Sequence, residues 1–504
     1  MSVAEYIQGS KIHKDFPQHP SSEDVKAGYA NQCATENEHA RLQRLLHEYG
    51  ATWTSSTDPN DPYNWPTYRK VLIGIIFSMG QLIAIMSASM IAAALPSISH
   101  DLNISASTAQ ITLLSYFLGM AFAPFLIAGC SEMWGRKTVW TVCTAWYVLW
   151  NALCPVGNNT GLMIVGRVMT GAGASVGTTL NGPIMADMFT DKNRGKSMAI
   201  VTLFPYLGPA LGPIVGGLVT QWIHWSWIFW IMSIVEAVIL LLGVVFIRES
   251  YTPVLLRRKA LPQAGISCGL YIGKDIRSHL MRHLKRPVLL LIHRPIIWII
   301  SLEGVVTFAV YAFMLSTYAT LWIERYGQSE LASSLHYIAI MIGTSMSSQL
   351  GGYIMDWIYK KMSQRTGGQG VPEYRLPFVT VGVAIMPIGL LWYGWSAQNK
   401  LPWILVDVGV VIFSLGNFVA AQGVNAYQLD EFAEYGASAN AATRLVTYIL
   451  AFVFPIFAPQ LYASLGYGWG NSLLALITVV LGAPTCALLW IWGARLRILG
   501  KRHI

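Results

Sequence analysis

Residues 227–247 read WIFWIMSIVEAVILLLGVVFI and contain a single charged side chain, Glu236. A helix needs about 20 mainly apolar residues to cross the hydrocarbon core of a bilayer, so this stretch is long enough to span one. Similar runs recur along the chain, which is 54% hydrophobic and only 12% charged over 504 residues. A soluble protein of this length needs more surface charge, so the composition predicts a polytopic helical membrane protein.

Twelve apolar spans are predicted, and they fall into two groups of six. The fold class that we expect is therefore all-α, with twelve transmembrane helices in two six-helix halves. An even number of spans places both termini on one side of the membrane. The predicted spans lie near residues 71–97, 107–130, 138–155, 161–186, 196–221, 227–247, 295–322, 333–357, 376–396, 402–425, 441–464 and 469–493.

Polar segments divide the chain into domains. Residues 1–64 lack an apolar core, which excludes a cleavable signal peptide and predicts a largely disordered cytoplasmic tail. The helical bundles are expected at 65–248 and 295–494, with a basic linker at 249–294 and a short tail at 495–504. Residues 274–286 of the linker fit either a helix on an anionic membrane surface or a solvated connection.

The distribution of basic residues predicts the orientation. Lysine and arginine are concentrated in the loops on one side, whereas the opposite loops hold only Arg325 and Lys400. The positive-inside rule then places both termini in the cytoplasm. The plasma membrane is the expected location, with a vacuolar membrane as the alternative. Two sequons, at Asn103 and Asn158, fall on the predicted outer face and are candidate glycosylation sites unless they arise by chance.

Several classes of function find no support in the sequence. The formal net charge of +9 lies in short loops between apolar spans, so a nucleic-acid partner is not expected. The six cysteines form no CxxC pair and show no metal-like spacing. The chain has neither a GxxxxGK[ST] nucleotide loop nor an HExxH motif, so we expect no enzyme, metal or bound cofactor.

The loop between spans 2 and 3 reads GCSEMWGRK at residues 129–137. Gly135 permits a tight turn, and a carboxylate–guanidinium cluster here can hold helices together in one state and release them in another. An ordinary basic loop is the alternative interpretation. The candidate gate residues at this end are Glu132, Gly135, Arg136, Lys137, Asp187 and, at the corresponding place after span 8, Asp356.

Ionisable side chains are predicted at membrane depth. Arg167 lies a few residues inside span 4, and its burial requires a partner or an aqueous cavity, unless the side chain reaches the headgroups. Glu236, Glu303 and Asp407 lie in spans 6, 7 and 10, with Asp407 near the outer end. Burial disfavours a charged carboxyl, which suits a group that binds and releases a proton. Glu303 is the first coupling candidate and Glu236 the second; structural hydrogen bonding is the alternative.

Span 5 contains GPALGPIVGG at residues 208–217. Glycines at every fourth position form a flat ridge that a neighbouring helix can approach closely. The two prolines remove backbone donors and favour a bend, which ordinary packing explains poorly. The residues of this motif are Gly208, Pro209, Gly212, Pro213, Gly216 and Gly217.

Polar side chains within the apolar spans are candidates for a substrate pocket, although many of them are expected to mediate helix packing. Together with abundant aromatic residues they suit amphipathic or hydrophobic organic compounds. The candidates are Gln81, Asn181, Tyr311, Gln349, Asn417, Gln422, Asn425 and Arg444.

These motifs together resemble the major facilitator superfamily, in the form of the fungal 12-helix drug:proton antiporters. Residues 131–137 match its S-E-x-x-G-R-K loop, Arg167–Gly173 its R-x-x-x-G-x-G motif, and 208–217 its antiporter motif on helix 5. The resemblance covers about residues 61–495. It implies proton-coupled efflux of drugs, toxins or secondary metabolites by alternating access, with Arg167 in proton transfer. The proton gradient would be the energy source, and we expect a monomer.

Two departures from the family pattern leave proton coupling and substrate choice open. Glu303 is followed by Gly304 where family members often have proline, and Thr447 stands where they often have arginine, with Arg444 one turn earlier. The alternatives are a nutrient importer or facilitator of the same fold and a transport-inactive membrane sensor. The helix-5 motif argues against an importer, because importers of the superfamily generally lack it.

Overall fold

The computed structural model describes residues 42–43, 45–47, 51–55, 57–189, 204–263, 285–366, 370–432 and 436–499. Within these ranges the regular secondary structure is helical. The first half of the chain contains α1 Thr67–Ser89, α2 Leu95–Asp101, α3 Ala106–Trp134, α4 Arg136–Leu153, α5 Thr160–Met188, α6 Gly208–Trp222, α7 Ser226–Phe246 and α8 Thr252–Gln263.

The second half begins with a helix at residues 285–293. A π-helical turn at Leu321–Arg325 extends α9, and another at Thr478–Gly482 joins the last two helices. The helices are α9 Pro295–Thr320, α10 Glu330–Leu335, α11 Ile338–Arg365, α12 Leu376–Gln398, α13 Trp403–Glu431, α14 Gly436–Val453, α15 Ala458–Ile477 and α16 Ala483–Ile498.

Seven helical stretches of the described residues are long and apolar enough to cross a membrane. The longest, Ser438–Ile498, is broken at Gly466, which has a φ of 70°, and so contains two spans. The remaining predicted spans correspond to α4, α5, α6 and α11, which are shorter or more polar. The all-helical fold with twelve spans that the sequence predicts is therefore the fold observed.

Several spans are less continuous than predicted. Span 1 ends in a 3-10 turn at Ala92, and Leu95–Asp101 forms a separate helix with Pro96 in its first turn. Span 8 is divided into α10 and α11, and Pro455 lies in a 3-10 turn within span 11. Proline lacks the amide proton that an α-helix requires, which explains two of these breaks.

Apolar clusters centre on each half and extend across their contact, where α3 meets α9 and α14. One core is centred on residues such as Trp140 and Phe229, the other on residues such as Met314. Between them, the ring of Phe117 stacks on Tyr448 with 6.0 Å between centroids, and Phe308 packs edge-on against Phe117 at 5.4 Å. The contact between the halves at mid-bundle is therefore aromatic.

The helices have two distinguishable ends. The basic end carries Arg136 and Arg375, whereas the far end carries Asp101 and Glu330. At the far end Ser97 donates a hydrogen bond to Glu330, and the amide of Gln460 donates to the hydroxyl of Ser107 over 2.9 Å. Both bonds join the first half to the second, so the halves are held together at the far end.

The end of the predicted N-terminal tail is folded in the part that the structure describes. Trp53 and Asp58 are buried, and the Lys259 ammonium donates to the carbonyl of Thr52 over 3.0 Å. This contact fastens the segment to α8, which corrects the expectation of disorder for residues 51–64. The predicted surface helix at 274–286 lies outside the described residues except for 285 and 286.

Candidate functional site

Glu249 organises the predicted gate loop at the basic end. Gly135 has a φ of 98°, and a Cβ atom built on it would lie 2.1 Å from Oε2 of Glu249. The Glu249 carboxylate accepts hydrogen bonds from the backbone N–H groups of Arg136 at 2.8 Å and Lys137 at 3.2 Å. A negative charge at a helix N-terminus is favourable, so Glu249 fixes the start of α4. Glycine is required because the carboxylate occupies the space of a side chain.

The side chain of Arg136 reaches α5. Its Nε donates to Asp187 over 3.2 Å, its Nη1 donates to Ser131 over 2.6 Å, and its guanidinium lies 4.3 Å from the ring centroid of Tyr251. Burial and, second, the charge of Glu132 raise the pKa of Tyr251, so Glu132 belongs to the same environment. Arg136 thus joins α4, α5 and the segment after α7, with Asp187 as its ion-pair partner.

Lys137, the remaining predicted gate residue of this loop, has a different contact. Its ammonium donates to the carbonyl of Val244 over 2.9 Å. This carbonyl lies in the last turn of α7, where the helix dipole favours a positive charge. Lys137 therefore joins the start of α4 to the end of α7.

A matching cluster lies at the basic end of the second half. Arg375 donates to Asp356 over 2.9 Å and to Asp430 over 3.0 Å, and its guanidinium lies 4.3 Å from the ring centroid of Tyr359. Arginine, carboxylate and tyrosine therefore recur in both halves. Sequence reasoning identified Asp356 but missed Glu249, Arg375 and Asp430 as site residues.

Arg167 is completely buried in the first half. Its Nη2 donates to the carbonyl of Ser87 over 2.8 Å, and its guanidinium lies 4.5 Å from the ring centroid of Tyr116. Nε and Nη1 have no hydrogen-bond partner among the described residues. The side chain therefore points into the bundle and is stabilised by a carbonyl and an aromatic face.

Glu236 is close to the network of Arg167. It is 5% exposed, and its Oε2 has no hydrogen-bond partner in the described part of the chain. It lines a small cavity together with Gly80, Trp140 and Tyr147. The hydroxyl of Tyr147 is hydrogen-bonded to the hydroxyl of Ser87, whose carbonyl binds Arg167. Two of the predicted coupling residues thus lie in the same buried region, with Tyr147 and Ser87 between them.

Glu303 lies in the other half, apart from that network. It is 1% exposed, and its Oε2 accepts a hydrogen bond of 2.5 Å from the hydroxyl of Thr485 on α16. Oε1 has no partner among the residues described. The carboxyl is thus held between α9 and α16 by one neutral donor.

The two departures from the family pattern are in contact. A Cβ atom built on Gly304 would lie 2.9 Å from the hydroxyl oxygen of Thr447. Arg444, one turn earlier on α14, donates to Asn440 over 2.8 Å and to the hydroxyl of Tyr448 over 2.7 Å. Arg444 is thus held beside the aromatic contact between the halves.

The glycine ridge of α6 lies against α1. Cβ atoms built on Gly212 and Gly216 would lie 2.6 Å from the carbonyl oxygen of Met86 and 2.0 Å from that of Met90. A Cβ atom on Gly208 would lie 2.7 Å from Cγ2 in the side chain of Ile85. The adjacent Gly217 faces the second half, because its added Cβ would lie 2.7 Å from the carbonyl oxygen of Glu330. The motif therefore allows close approach both to α1 and to α10.

Both prolines of the motif lie in the N-terminal half of α6. Pro209 is in the first turn of α6, where a missing amide proton has no consequence. Pro213 lies inside the helix and is buried, so it removes one helical hydrogen bond next to the contact with α1.

The predicted pocket residues form small groups rather than one surface. Asn181 donates to Gln81 within the first half. Tyr311 packs edge-on against Phe418, with 5.6 Å between centroids, in the second half. The remaining candidates differ in burial and surroundings: Asn417 is buried, Gln422 contacts Gly351, and Gln349 and Asn425 are exposed.

Both predicted glycosylation residues are exposed at the far end. Asn103 has a φ of 49° and Asn158 a φ of 46°. Asparagine is among the non-glycine residues that tolerate this left-handed conformation, so the two side chains have a structural role in their turns.

This fold of twelve helical spans, with paired gate clusters and buried ionisable groups, defines a membrane transporter. The sequence model of the Major Facilitator Superfamily matches residues 77–455, and the chain belongs to that family. Among solved structures, the proton:xylose symporter XylE of E. coli is similar with a TM-score of 0.61 and 16% identity, covering 84% of this chain and 96% of that one.

Curated relatives are similar over most of their length. The "Probable efflux pump mfs2" of Aspergillus flavus is 37% identical over 81% of this chain and 98% of its own. The "Efflux pump vrtL" of Penicillium aethiopicum is 33% identical over 89% of this chain and 90% of its own. An "Uncharacterized transporter C1529.01" of Schizosaccharomyces pombe is 35% identical over 90% of this chain and 94% of its own. Their similarity extends through both halves of the fold.

Proposed function

We propose that this protein exports small amphipathic or hydrophobic organic compounds in exchange for protons, by alternating access between its two halves. The observation that carries this proposal is the burial of Arg167 and Glu236 in one region of the first half, where Tyr147 shares a cavity with Glu236 and bonds Ser87, whose carbonyl accepts from Arg167. Such groups at membrane depth are costly and usually functional. Similarity to proteins named efflux pumps supports export as the direction.

The basic end is proposed to face the cytoplasm, and the plasma membrane is the proposed location. The basic residues Arg136 and Arg375 support this orientation through the positive-inside rule. The far end then faces the outside, and the bonds from Ser97 to Glu330 and from Gln460 to Ser107 close the protein there. The conformation is therefore closed to the outside.

The proton is proposed to bind Glu303 or Glu236. Each carboxyl is buried and has an oxygen without a hydrogen-bond partner among the described residues, so the neutral acid fits its surroundings better than the carboxylate. A group that is protonated in one conformation and ionised in another can drive the exchange, because the proton then binds the two conformations with different free energies. No bound cofactor is needed.

Aromatic side chains between the halves support amphipathic substrates. Phe117, Phe308 and Tyr448 contact one another where the halves meet, and Arg444 donates to the hydroxyl of Tyr448. A pocket with apolar faces and few polar groups fixes the orientation of an organic ligand. We propose that substrate displaces part of this aromatic contact.

Tracer flux in reconstituted vesicles with an imposed pH gradient tests the proposal. The purified protein should move a fluorescent amphipathic tracer in the direction opposite to the flow of protons. An ionophore that collapses the pH gradient should abolish this flux. Glu303→Gln and Glu236→Gln identify the coupling carboxyl, because one of them should retain downhill flux and lose its dependence on the gradient. Flux that is unchanged when the gradient collapses would exclude proton antiport.

The alternatives are distinguished by the same vesicles. An importer of this fold would carry the tracer in the direction of the protons, and a facilitator would ignore them. A transport-inactive sensor would bind the tracer without flux. The close contact of Gly212 and Gly216 with α1, in a motif that resembles that of exporters, favours export over both.

A further inference from the structure

A histidine, an aspartate and a tyrosine form a cluster at the outer end of the second half. Nδ1 of His336 lies 2.8 Å from Oδ2 of Asp407, and the hydroxyl of Tyr318 donates to Oδ1 of the same carboxylate over 2.6 Å. The side chains of His336 and Asp407 are only 11% and 15% exposed. The sequence singled out Asp407 as an interfacial carboxyl, but His336 and Tyr318 were not connected with it.

Both ring nitrogens of His336 have a polar side chain within hydrogen-bond distance. Its Nε2 lies 3.0 Å from Oε1 of Gln328, so both ring nitrogens face oxygen acceptors. A neutral imidazole has only one N–H to donate, whereas the imidazolium donates from both nitrogens. The ring also stacks on Trp322 with 3.6 Å between centroids, an arrangement that stabilises a cation.

The charged groups around the cluster come from several elements. Asp407 faces His336 from α13, and Tyr318 reaches the same carboxylate from α9. Trp403 packs edge-on against the imidazole ring of His336, with 6.0 Å between centroids. Arg325 follows α9 and donates to the carbonyls of Ala397 and Gln398. Among the described residues, Asp407 is the carboxylate in hydrogen-bond contact with His336.

His336 is adjacent to the element that closes the outer side. It directly follows α10, whose residues Glu330 and Ser334 contact Gly217 of α6, and Glu330 also accepts from Ser97. A strong His336–Asp407 bond therefore holds the end of α10 to α13 and α9. When α10 is held in this position, its contacts with Gly217 and Ser97 of the first half are maintained.

We propose that the cluster of His336, Asp407 and Tyr318 is a proton-operated latch that closes the outer side of the transporter. Uptake of one proton from the outer solvent by His336 turns its bond to the Asp407 carboxylate into an ion pair, in which donor and acceptor are both charged. The strengthened bond fixes α10 and favours the conformation closed to the outside. Its direction rests on the proposed proton antiport, in which protons enter from outside before the protein closes there.

Distance measurements across the outer side test the latch without transport. Spin labels introduced through unnatural amino acids at the exposed Ala106 and Ala463, near the bond between Ser107 and Gln460, report closure by electron paramagnetic resonance. Histidine changes charge between about pH 5 and pH 8. The ratio of short to long distances should be about fivefold higher at the acidic end of this range, for a difference of roughly 1 kcal/mol between the two hydrogen bonds.

Matched variants assign the effect. His336→Gln and, independently, Asp407→Asn should abolish the pH dependence of the distances. His224→Gln is the control, since His224 also bonds an aspartate at the outer end, with Nε2 3.1 Å from Asp101, but is half exposed and belongs to the first half. Size-exclusion chromatography verifies that each variant is folded.

The results separate this inference from the proposed function. The latch would be overturned if the distances in both His336→Gln and Asp407→Asn still shift with pH as they do in the wild type. It would also be overturned if His224→Gln loses the pH dependence to the same extent. A pH-dependent distance that requires His336 supports the latch even where vesicle flux is independent of the pH gradient. In that case antiport would be excluded and the latch retained.

Discussion

Gly304 of α9 lies against Thr447 of α14, so close that a Cβ atom on the glycine would be 2.9 Å from the threonine hydroxyl oxygen. These are the two positions named above as departures from the family pattern. The short distance places the hydroxyl of Thr447 against α9, next to the turn that carries Glu303.

Gly304→Ala should lower the stability of the protein, because the added methyl group overlaps the Thr447 side chain. Overpacking of this kind typically costs about 1–3 kcal/mol. Thermal unfolding in detergent, followed by tryptophan fluorescence, measures the loss. The double variant Gly304→Ala with Thr447→Ala should recover most of it, because the second change removes the hydroxyl oxygen that the added methyl group would meet. Additive effects of the two changes would contradict the contact.

Gly212→Ala should impair the packing of α6 on α1, since its Cβ would be 2.6 Å from a backbone carbonyl that cannot move aside. We expect a lower melting temperature and reduced flux. Gly182→Ala is the matched control, because a Cβ built on Gly182 has no heavy atom within 4 Å. That control should be neutral or stabilising by about 0.5–1 kcal/mol, as expected for glycine replaced by alanine in a helix. Equal destabilisation by both changes would contradict the role of the ridge.

Glu249→Ala should destabilise the gate loop, because it leaves the first backbone N–H groups of α4 without their acceptor. The loss of such a buried bond costs about 1–3 kcal/mol of stability. Glu249→Gln should keep part of the stabilisation, because its amide oxygen can still accept a hydrogen bond. Thermal unfolding of both variants gives the comparison. Glu324→Ala removes an exposed glutamate and should change stability by less than about 0.5 kcal/mol. Identical melting of Glu249→Ala and the wild type would exclude the capping role.

Asp58 should make the folded segment before α1 sensitive to acid. Hydrogen bonds from the backbone N–H groups of Asn60 and Thr54 lower the pKa of Asp58 to about 2. Since the ordinary value is about 3.9, its stabilisation is complete above that pH and is lost as the pH falls toward 2. Hydrogen exchange of residues 51–61 should rise over this range, and Asp58→Asn should raise it already at neutral pH. Protection that does not depend on Asp58 would contradict this account.

Much of the candidate site follows from sequence because its signals are local. The glycines of α6 are spaced by one helical turn, and they lie on one face of the helix wherever that helix packs. The depth of Arg167, Glu236 and Glu303 follows from counting residues within an apolar span. The breaks before α2 and within span 11 were missed, although Pro96 and Pro455 were visible in the sequence as signals for them.

Partners distant in the sequence could not be predicted in the same way. The bonds from Glu249 to the start of α4, from Arg375 to Asp430 and from His336 to Asp407 each join residues that lie far apart along the chain. Any of the nearby carboxylates, Glu132 included, satisfies the same local pattern around Arg136. The structure pairs Arg136 with Asp187 because α5 ends beside the start of α4.

The sequence by itself determined the class of fold and the number of spans. Apolar length is a property of each segment alone, since the hydrocarbon core accepts only helices with satisfied backbones. Only the tertiary structure decided the surroundings of the ionisable groups: it brings Glu236 near Arg167, Glu303 to the hydroxyl of Thr485, and His336 to Asp407. A hydrogen bond depends on atoms within about 3 Å of each other, and that proximity arises only when the helices pack.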